Sequence, residues 1–298
     1  MIDISKDNSV TGIIIAKNEE VCISRAVQSL SWCQQVFVID TGSADNTINV
    51  AAQSGASVLN YVVRPFNFAD VRNFSLNEIE IDTQWVMFLD ADEICTPDLA
   101  RVVDATVQKC PEDVGVFRIA GKYLFLGRWM KHSMRFPAWH DRLIRIGAGH
   151  FKGTDEGGYL EKFVCNDGYT VDYITETYVH DAFVHGIDSW LEKHIERARY
   201  LADEIDNFIN AKSGFGQIAL NVRYSDGVKV RARIYSLGLG YLAPFLQFFY
   251  MYIYRMGFLD GRQGLLLSAM FSIFEAMIYV MVTKRNISRS DQRSGGQR

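Results

Sequence analysis

The sequence predicts an α/β fold: a mostly parallel, Rossmann-like sheet with flanking helices, followed by apolar amphipathic C-terminal helices. Three observations carry this. Over the first hundred residues, apolar runs of strand length alternate with stretches of helical spacing, the signature of βαβ units. The strand Trp85-Val86-Met87-Phe88-Leu89 runs straight into Asp90, Asp92 and Glu93. From Ile234 to Tyr254 there is no charge, and from Leu265 to Thr283 only Glu275 interrupts.

The elements follow in order. Val10 to Ala16 reads as the first strand, and Glu19 to Leu30 as a helix with Ile23, Ala26, Val27 and Leu30 at helical spacing. Val36 to Asp40 is a second strand ending at Thr41-Gly42-Ser43; Asp45 can cap the next helix, which reaches Ser54 and stops at Gly55. Ser57 to Val63 is a third strand, Phe68 to Ile79 a helix with Val71, Phe74 and Ile79 inward, and Trp85 to Leu89 the fourth strand. Thr96-Pro97 opens a further helix, with Pro in the first turn where its missing N–H does no harm. After about residue 113 the pattern changes to strand pairs, Val114 to Ile119 and Leu143 to Ile146, and then to a helical stretch, Ile187 to Ile209.

This divides the chain into an α/β region over 1–220, itself split into 1–112 and 113–220, an apolar helical region over 221–287, and a polar tail over 288–298 expected to be disordered. The 298 residues, 48% hydrophobic, are enough for a full core. Five cysteines form no C-x-x-C pair, which argues against a zinc site or disulfide framework and fits a reducing cytoplasm. The polar start, residues 1 to 9, lacks the pattern of a secretion signal. Charge is uneven. Residues 221–298 hold eleven Lys/Arg against four Asp/Glu, within an overall net charge of −4. The basic part is also the greasiest, which fits an anionic membrane surface and argues against nucleic acid.

Unpaired charge at the end of a buried strand is too costly to stand alone, so Asp90 and Asp92 must face something cationic. At the carboxyl edge of an open α/β sheet, the expected partner is Mn2+ or Mg2+ shared with a substrate diphosphate. Polar residues also collect at the ends of the other strands: Lys17-Asn18-Glu19-Glu20, Asp40-Thr41 and Arg64. In a parallel sheet these ends share one rim.

The combination Ile15-Ala16-Lys17-Asn18-Glu19, Asp40-Thr41-Gly42-Ser43-x-Asp45-x-Thr47, Arg72 and Leu89-Asp90-Ala91-Asp92-Glu93 resembles the family 2 glycosyltransferases of GT-A fold. The resemblance implies that Ala16, Asn18, Glu19, Asp40 and Thr41 hold uracil and ribose. It puts Arg72 near base and phosphates, Asp92 on the metal, and Asp90 with Ala91 beside the ribose or a metal-bound water. Trp139-His140-Asp141-Arg142-Leu143-Ile144-Arg145 and Gly153-Thr154-Asp155-Glu156 resemble the branch that builds bacterial lipopolysaccharide cores and exopolysaccharides, although Asp155 stands where its members commonly have His.

That likeness implies a hexose, glucose foremost, moved from a UDP-sugar to a hydroxyl of a lipid-linked saccharide or lipopolysaccharide core at the cytoplasmic face of the inner membrane. Inversion needs a base opposite the leaving diphosphate. Glu156 is the first candidate, with Asp155 adjacent to raise its pKa and Asp141 in reserve. His140, His180, His185, Lys193 and His194 are candidates for touching diphosphate or acceptor. A polyprenyl-phosphate acceptor and a catalytically silent membrane adaptor remain as alternatives.

The apolar end reads as a helix over Phe245 to Met256, too short to span a bilayer, and a longer one with a polar stripe at Ser268, Ser272, Glu275 and Tyr279. The stripe suits a helix lying in the headgroup plane or one packed on its own domain. A spanning hairpin and an oligomer interface stay open, as does the oligomeric state.

Overall fold

The computed structural model describes residues 9–134, 136–153, 161–211 and 226–295. The chain forms two compact units, Met1–Trp129 with Arg135–Val184, and Met130–Met134 with His185–Arg298. This division falls ahead of the composition change near residue 220, because the helix Gly186–Ala211 packs with the C-terminal helices.

In chain order the first unit runs β1 (Val10–Ala16), α1 (Ile23–Ser29), β2 (Gln35–Asp40), α2 (Thr47–Gln53), β3 (Ser57–Asn60), α3 (Phe68–Asn77) and β4 (Trp85–Asp90). It continues with β5 (Glu93–Ile94), α4 (Pro97–Val107), β6 (Val114–Phe125), β7 (Arg128–Trp129), β8 (Trp139–Arg145), β9 (Gly149–Gly153), β10 (Glu161–Cys165) and β11 (Thr170–His180). The main sheet has the order β3-β2-β1-β4-β8-β6-β11-β5, with β7 paired to β6, and β9 and β10 form a separate hairpin. β1 to β4 are parallel, β8 runs antiparallel between β4 and β6, and β11 is parallel to β6.

Every residue of β1 is buried, which suits its unbroken apolar run and a strand covered on both faces. Ile14, Trp85, Met87 and Leu89 pack with Ile23 and Val27 of α1 and Leu99 and Val103 of α4. Ile13, Ile15, Val86 and Phe88 pack on the other side with Val71 of α3 and Phe151 of β9. The Asn73 side-chain amide fastens α3 to that hairpin, bonding both the N–H and the C=O of Phe151 at 2.8 Å.

Local signals explain the helix starts. Asp45 Oδ1 accepts the Thr47 N–H at 3.0 Å, the cap expected from sequence, although the backbone boundary lies at Asn46. Asn67 caps α3 through the Ala69 N–H, and Thr96 caps α4 through the Leu99 N–H. The first helix is shorter than its apolar spacing implies, because Glu19 to Cys22 make a turn. The long β11 has no counterpart in the sequence reading.

The second unit contains α5 (Gly186–Ala211), α6 (Asp226–Ser236), α7 (Ala243–Phe249) continued by a π turn at Tyr250–Tyr254, a 3-10 turn at Gly257–Asp260, and α8 (Gly261–Gly295). Met256 lies in the left-handed region, φ 58°, and breaks the path between α7 and α8. Asp260 is buried and accepts the His132 N–H, the Ser133 N–H and the Ser133 hydroxyl, so this turn grips the loop Met130–Met134. The polar residues 288–295, expected to be disordered, continue α8.

Candidate active site

Parallel pairing puts the strand ends in one row. Ala16 stands opposite Asp40, Asp40 opposite Asn60, and Ile15 opposite Asp90. The loops after β1 and β2 are stitched together at this edge. Asn18 adopts φ 57°, a region Asn tolerates; its Oδ1 accepts the Ala44 N–H at 2.8 Å and its N–H reaches Ser43 Oγ at 2.9 Å. The Glu19 N–H donates to Thr47 Oγ1 at 2.7 Å, and Glu20 accepts the Asn46 N–H at 2.9 Å.

Asp40 and Thr41 build this corner from within. Asp40 Oδ2 accepts the Gly42 and Ser43 N–H groups at 3.0 Å each, and Oδ1 takes the Ser43 hydroxyl. The turn depends on Gly42 at φ 102°. Thr41 bonds the Ala16 carbonyl through both its N–H and its hydroxyl, at 3.0 and 3.3 Å. Both side chains are buried, so they act first on the shape of the corner.

The acids after β4 lie in a chain of alternating charge: Glu161, Arg72, Asp90, Arg142, Glu93, His180, Asp92. The successive gaps are 3.2, 3.3, 2.9, 2.5, 3.4 and 3.2 Å. The sequence argument assigned a metal as the cation facing Asp90 and Asp92. For Asp90 the cations in place are arginines: Oδ1 meets Arg72 and Oδ2 meets Arg142. Glu93, fully buried, is held by Arg142 and also accepts the Asp90 N–H at 3.0 Å. Asp92 meets only the His180 ring among these cations, and its side chain stays 27% exposed.

Each cation in the chain is aimed by its element. Arg72 projects from α3 with its guanidinium between the rings of Phe88 and Phe151, 5.0 and 5.3 Å from their centres. Arg142 sits at a bulge: Leu143 opposes Phe117 and Asp141 opposes Arg118, so Arg142 is the extra residue. A bulge re-aims a side chain, and here it brings the guanidinium over the Tyr178 ring and onto Asp90 and Glu93. His180 ends β11, its ring tilted 31° against that of Tyr123 at 4.5 Å between centres.

The electrostatics follow from this packing. Burial alone would raise the Asp90 pKa, but Arg142 and Arg72 outweigh it and hold the carboxyl well below the ordinary range. Burial and neighbouring Asp90 push Glu93 up to about 7 in spite of Arg142. Burial disfavours charge on His180, yet Asp92 and Glu93 draw it up to about 9. His140, buried and close to Arg142, falls to about 4.

The structure therefore brings Arg72, Asp90, Ala91 and Asp92 together and sets Asp141 apart. Asp141 Oδ1 holds Arg118 at 2.7 Å and Oδ2 accepts the Phe163 N–H at 2.8 Å, which ties β8 to β6 and β10. Asp155 and Glu156 lie outside the described residues. The sequence reading gave no role to Glu93, Arg142 or Glu161. The signal for Arg142 was present, since an arginine beside Leu143-Ile144 in an apolar strand needs a buried acid.

The chain is similar to several known proteins. An uncharacterized glycosyltransferase of Rickettsia typhi is 35% identical over 200 residues, which is 65% of this chain and 66% of that protein, so the chain spans just under two thirds of it. One from Rickettsia felis is 34% identical over 65% of this chain and 68% of its own. The lipopolysaccharide core biosynthesis glycosyltransferase LpsC of Rhizobium meliloti is 24% identical over 48% of this chain and 53% of its own. Among solved structures, glucosyl-3-phosphoglycerate synthase from Mycobacterium tuberculosis with Mg2+ and UDP is 16% identical at a TM-score of 0.40, covering 59% of this chain and 72% of that one. Residues 11–167 match the profile described as glycosyl transferase family 2. With that match over more than half its length, and with the mostly parallel GT-A-type sheet that carries the acid row, the chain belongs to glycosyl transferase family 2.

Proposed function

We propose that the protein is an inverting, metal-dependent hexosyltransferase that moves a hexose, glucose foremost, from a UDP-sugar to a hydroxyl of a lipid-linked saccharide or lipopolysaccharide core. It works at the cytoplasmic face of the bacterial inner membrane. The observation that carries this reading is the asymmetry of the acid row: arginines neutralise Asp90 and Glu93, while Asp92 stays partly exposed beside His180. A partly exposed carboxylate at a strand end fits a divalent ion. Asp92, with His180 next to it, would hold Mn2+ or Mg2+, which supplies positive charge for the departing UDP diphosphate.

The chain's own residues supply the rest. Asn18, Glu19 and the corner made by Ala16, Asp40 and Thr41 receive base and ribose. Arg72 and Arg142 fix Asp90 beside Ala91, so the donor pocket keeps its shape without ordering on binding. Glu156, with Asp155 next to it, takes the proton of the acceptor hydroxyl as the new glycosidic bond forms. Kinship with LpsC supports the saccharide acceptor.

The test is acceptor-dependent UDP release by the purified chain with UDP-glucose, Mn2+, and core oligosaccharide or membrane lipids. Glu156→Gln should lower turnover roughly 100-fold, the size of a general-base contribution. Equal turnover of the variant on polyprenyl phosphate would transfer the assignment to that acceptor. Absence of release with every UDP-hexose would remove the transferase reading.

A further inference from the structure

Α8 contains a 29-residue stretch, Gly257–Arg285 with its leading turn, that is long and apolar enough to cross a membrane by length and composition alone. Its packing says otherwise. The polar stripe turns inward: Ser272 Oγ donates to the Pro244 carbonyl at 2.8 Å, Glu275 binds Arg231 of α6, and Tyr279 stacks on Tyr235. Near the middle of α8, therefore, lies a helix that also carries Lys229 and Arg233.

On another side α8 meets α5. Phe271 and Phe274 contact the Trp190–His194 pair, and Arg285 binds Asp203 at 2.9 Å. α5 exposes Glu192, Lys193, Glu196, Arg197 and Arg199 to solvent. A spanning α8 would carry these charged helices into hydrocarbon, where charge is not tolerated unpaired.

The remaining face is the reverse of a water-soluble surface. Leu259, Leu266, Ile273, Val280 and Ile287 recur at intervals of seven and are all exposed, as are Phe245, Leu246, Phe249 and Ile253 on α7 and its π turn. Of the 26 exposed large apolar side chains among the described residues, 16 lie between Leu237 and Ile287. Such an extent exceeds what a water-exposed monomer ordinarily shows. Exposed Arg233, Arg262 and Lys284 stand at the ends of these segments, and no charge falls between Ile234 and Tyr254. Apolar residues in the middle and cations at the segment ends are complementary to an anionic lipid surface.

We propose that the α7–α8 face of the second unit is an in-plane membrane site that seats in one leaflet of an anionic bilayer without crossing it. This deepens the reading of a transferase with a lipid-linked acceptor. The site itself makes no use of the catalytic residues. The interval of seven along α8 would also serve a seam with a second copy, but a seam is one stripe wide, and the exposed apolar surface extends over α7 as well.

The experiment is flotation of the full chain with vesicles of phosphatidylethanolamine and phosphatidylglycerol, and with phosphatidylcholine alone. The wild type should float with the anionic vesicles and be weakened by high salt. Phe249→Glu and Ile273→Glu should each lower the bound fraction about tenfold or more, while Leu126→Glu, an exposed apolar site in the first unit, should not. Circular dichroism checks that each variant is folded. Asp92→Ala should float like the wild type, so loss of catalysis and loss of docking are separable. Phe249→Trp should be quenched by bromines near the headgroups and not by those near acyl-chain ends. Deep quenching would establish a spanning helix instead, and a lipid-indifferent dimer broken by Ile273→Glu would assign the face to a second copy.

Discussion

The two units differ in how buried charge is grouped and in what they leave exposed. In the first, Arg72, Arg142 and Glu93 are buried beneath the strand ends in an alternating ion chain. In the second, buried acids such as Asp260 and Glu275 are held one at a time by nearby donors, while the apolar residues of α7 and α8 are left exposed. One rule produces both results: buried charge needs a partner, and exposed apolar surface needs something other than water. On the reading proposed above, the first unit is built to meet a small charged ligand and the second a lipid surface.

The sharpest way to break this contrast is Arg142→Met. It leaves Asp90 and Glu93 without their shared cation, and removal of one partner from a buried pair costs about 3–5 kcal/mol. Urea denaturation should show that loss, and combining it with Glu93→Gln should recover part of it. No recovery would mean that Arg142 acts by packing alone. The matching change in the second unit is smaller. Glu275→Gln leaves Arg231, which is partly exposed, without a full counter-charge, and should cost roughly 1–3 kcal/mol.

The histidines sharpen the comparison by titrating in opposite directions. His180, drawn up to about 9 by Asp92 and Glu93 against its burial, adds stability below its unfolded pKa that is lost as pH rises through about 9. His194 is depressed by burial to about 4, so its contribution is present above the unfolded value and lost as pH falls toward 4. NMR titration of the metal-free protein reads both; two ordinary values near 6.5 would remove the contrast.

Much of the first unit was legible because its signals are local. The apolar runs of β1, β2 and β4, the Thr96-Pro97 start of α4 and the acids after Leu89 each follow from a few adjacent residues. What bound those acids was not legible. Arg142 reaches Asp90 across 52 positions of sequence, and Glu161 reaches Arg72 across 89, so only the β8 bulge and the hairpin reveal the partners. The long β11 escaped notice because Thr170 to His180 alternates weakly and carries Asp172 and Glu176. In the second unit the polar stripe of α8 was found at the right positions, but a stripe alone does not say which way it faces.

A smaller effect tests the frame that carries the site. Asn67→Ala removes the cap of α3, on which Arg72 is mounted, and should cost about 1 kcal/mol by thermal or urea unfolding. A change within error would show that the Asn73 clasp holds the helix without its cap.

The most direct measurement is calorimetry of UDP binding with and without Mn2+, for the wild type and Asp92→Ala. If Asp92 is the acid left outside the arginine clamp to hold the ion, wild-type binding should require Mn2+ and the variant should bind at least about tenfold more weakly. Equal, Mn2+-supported binding by Asp92→Ala would contradict the account.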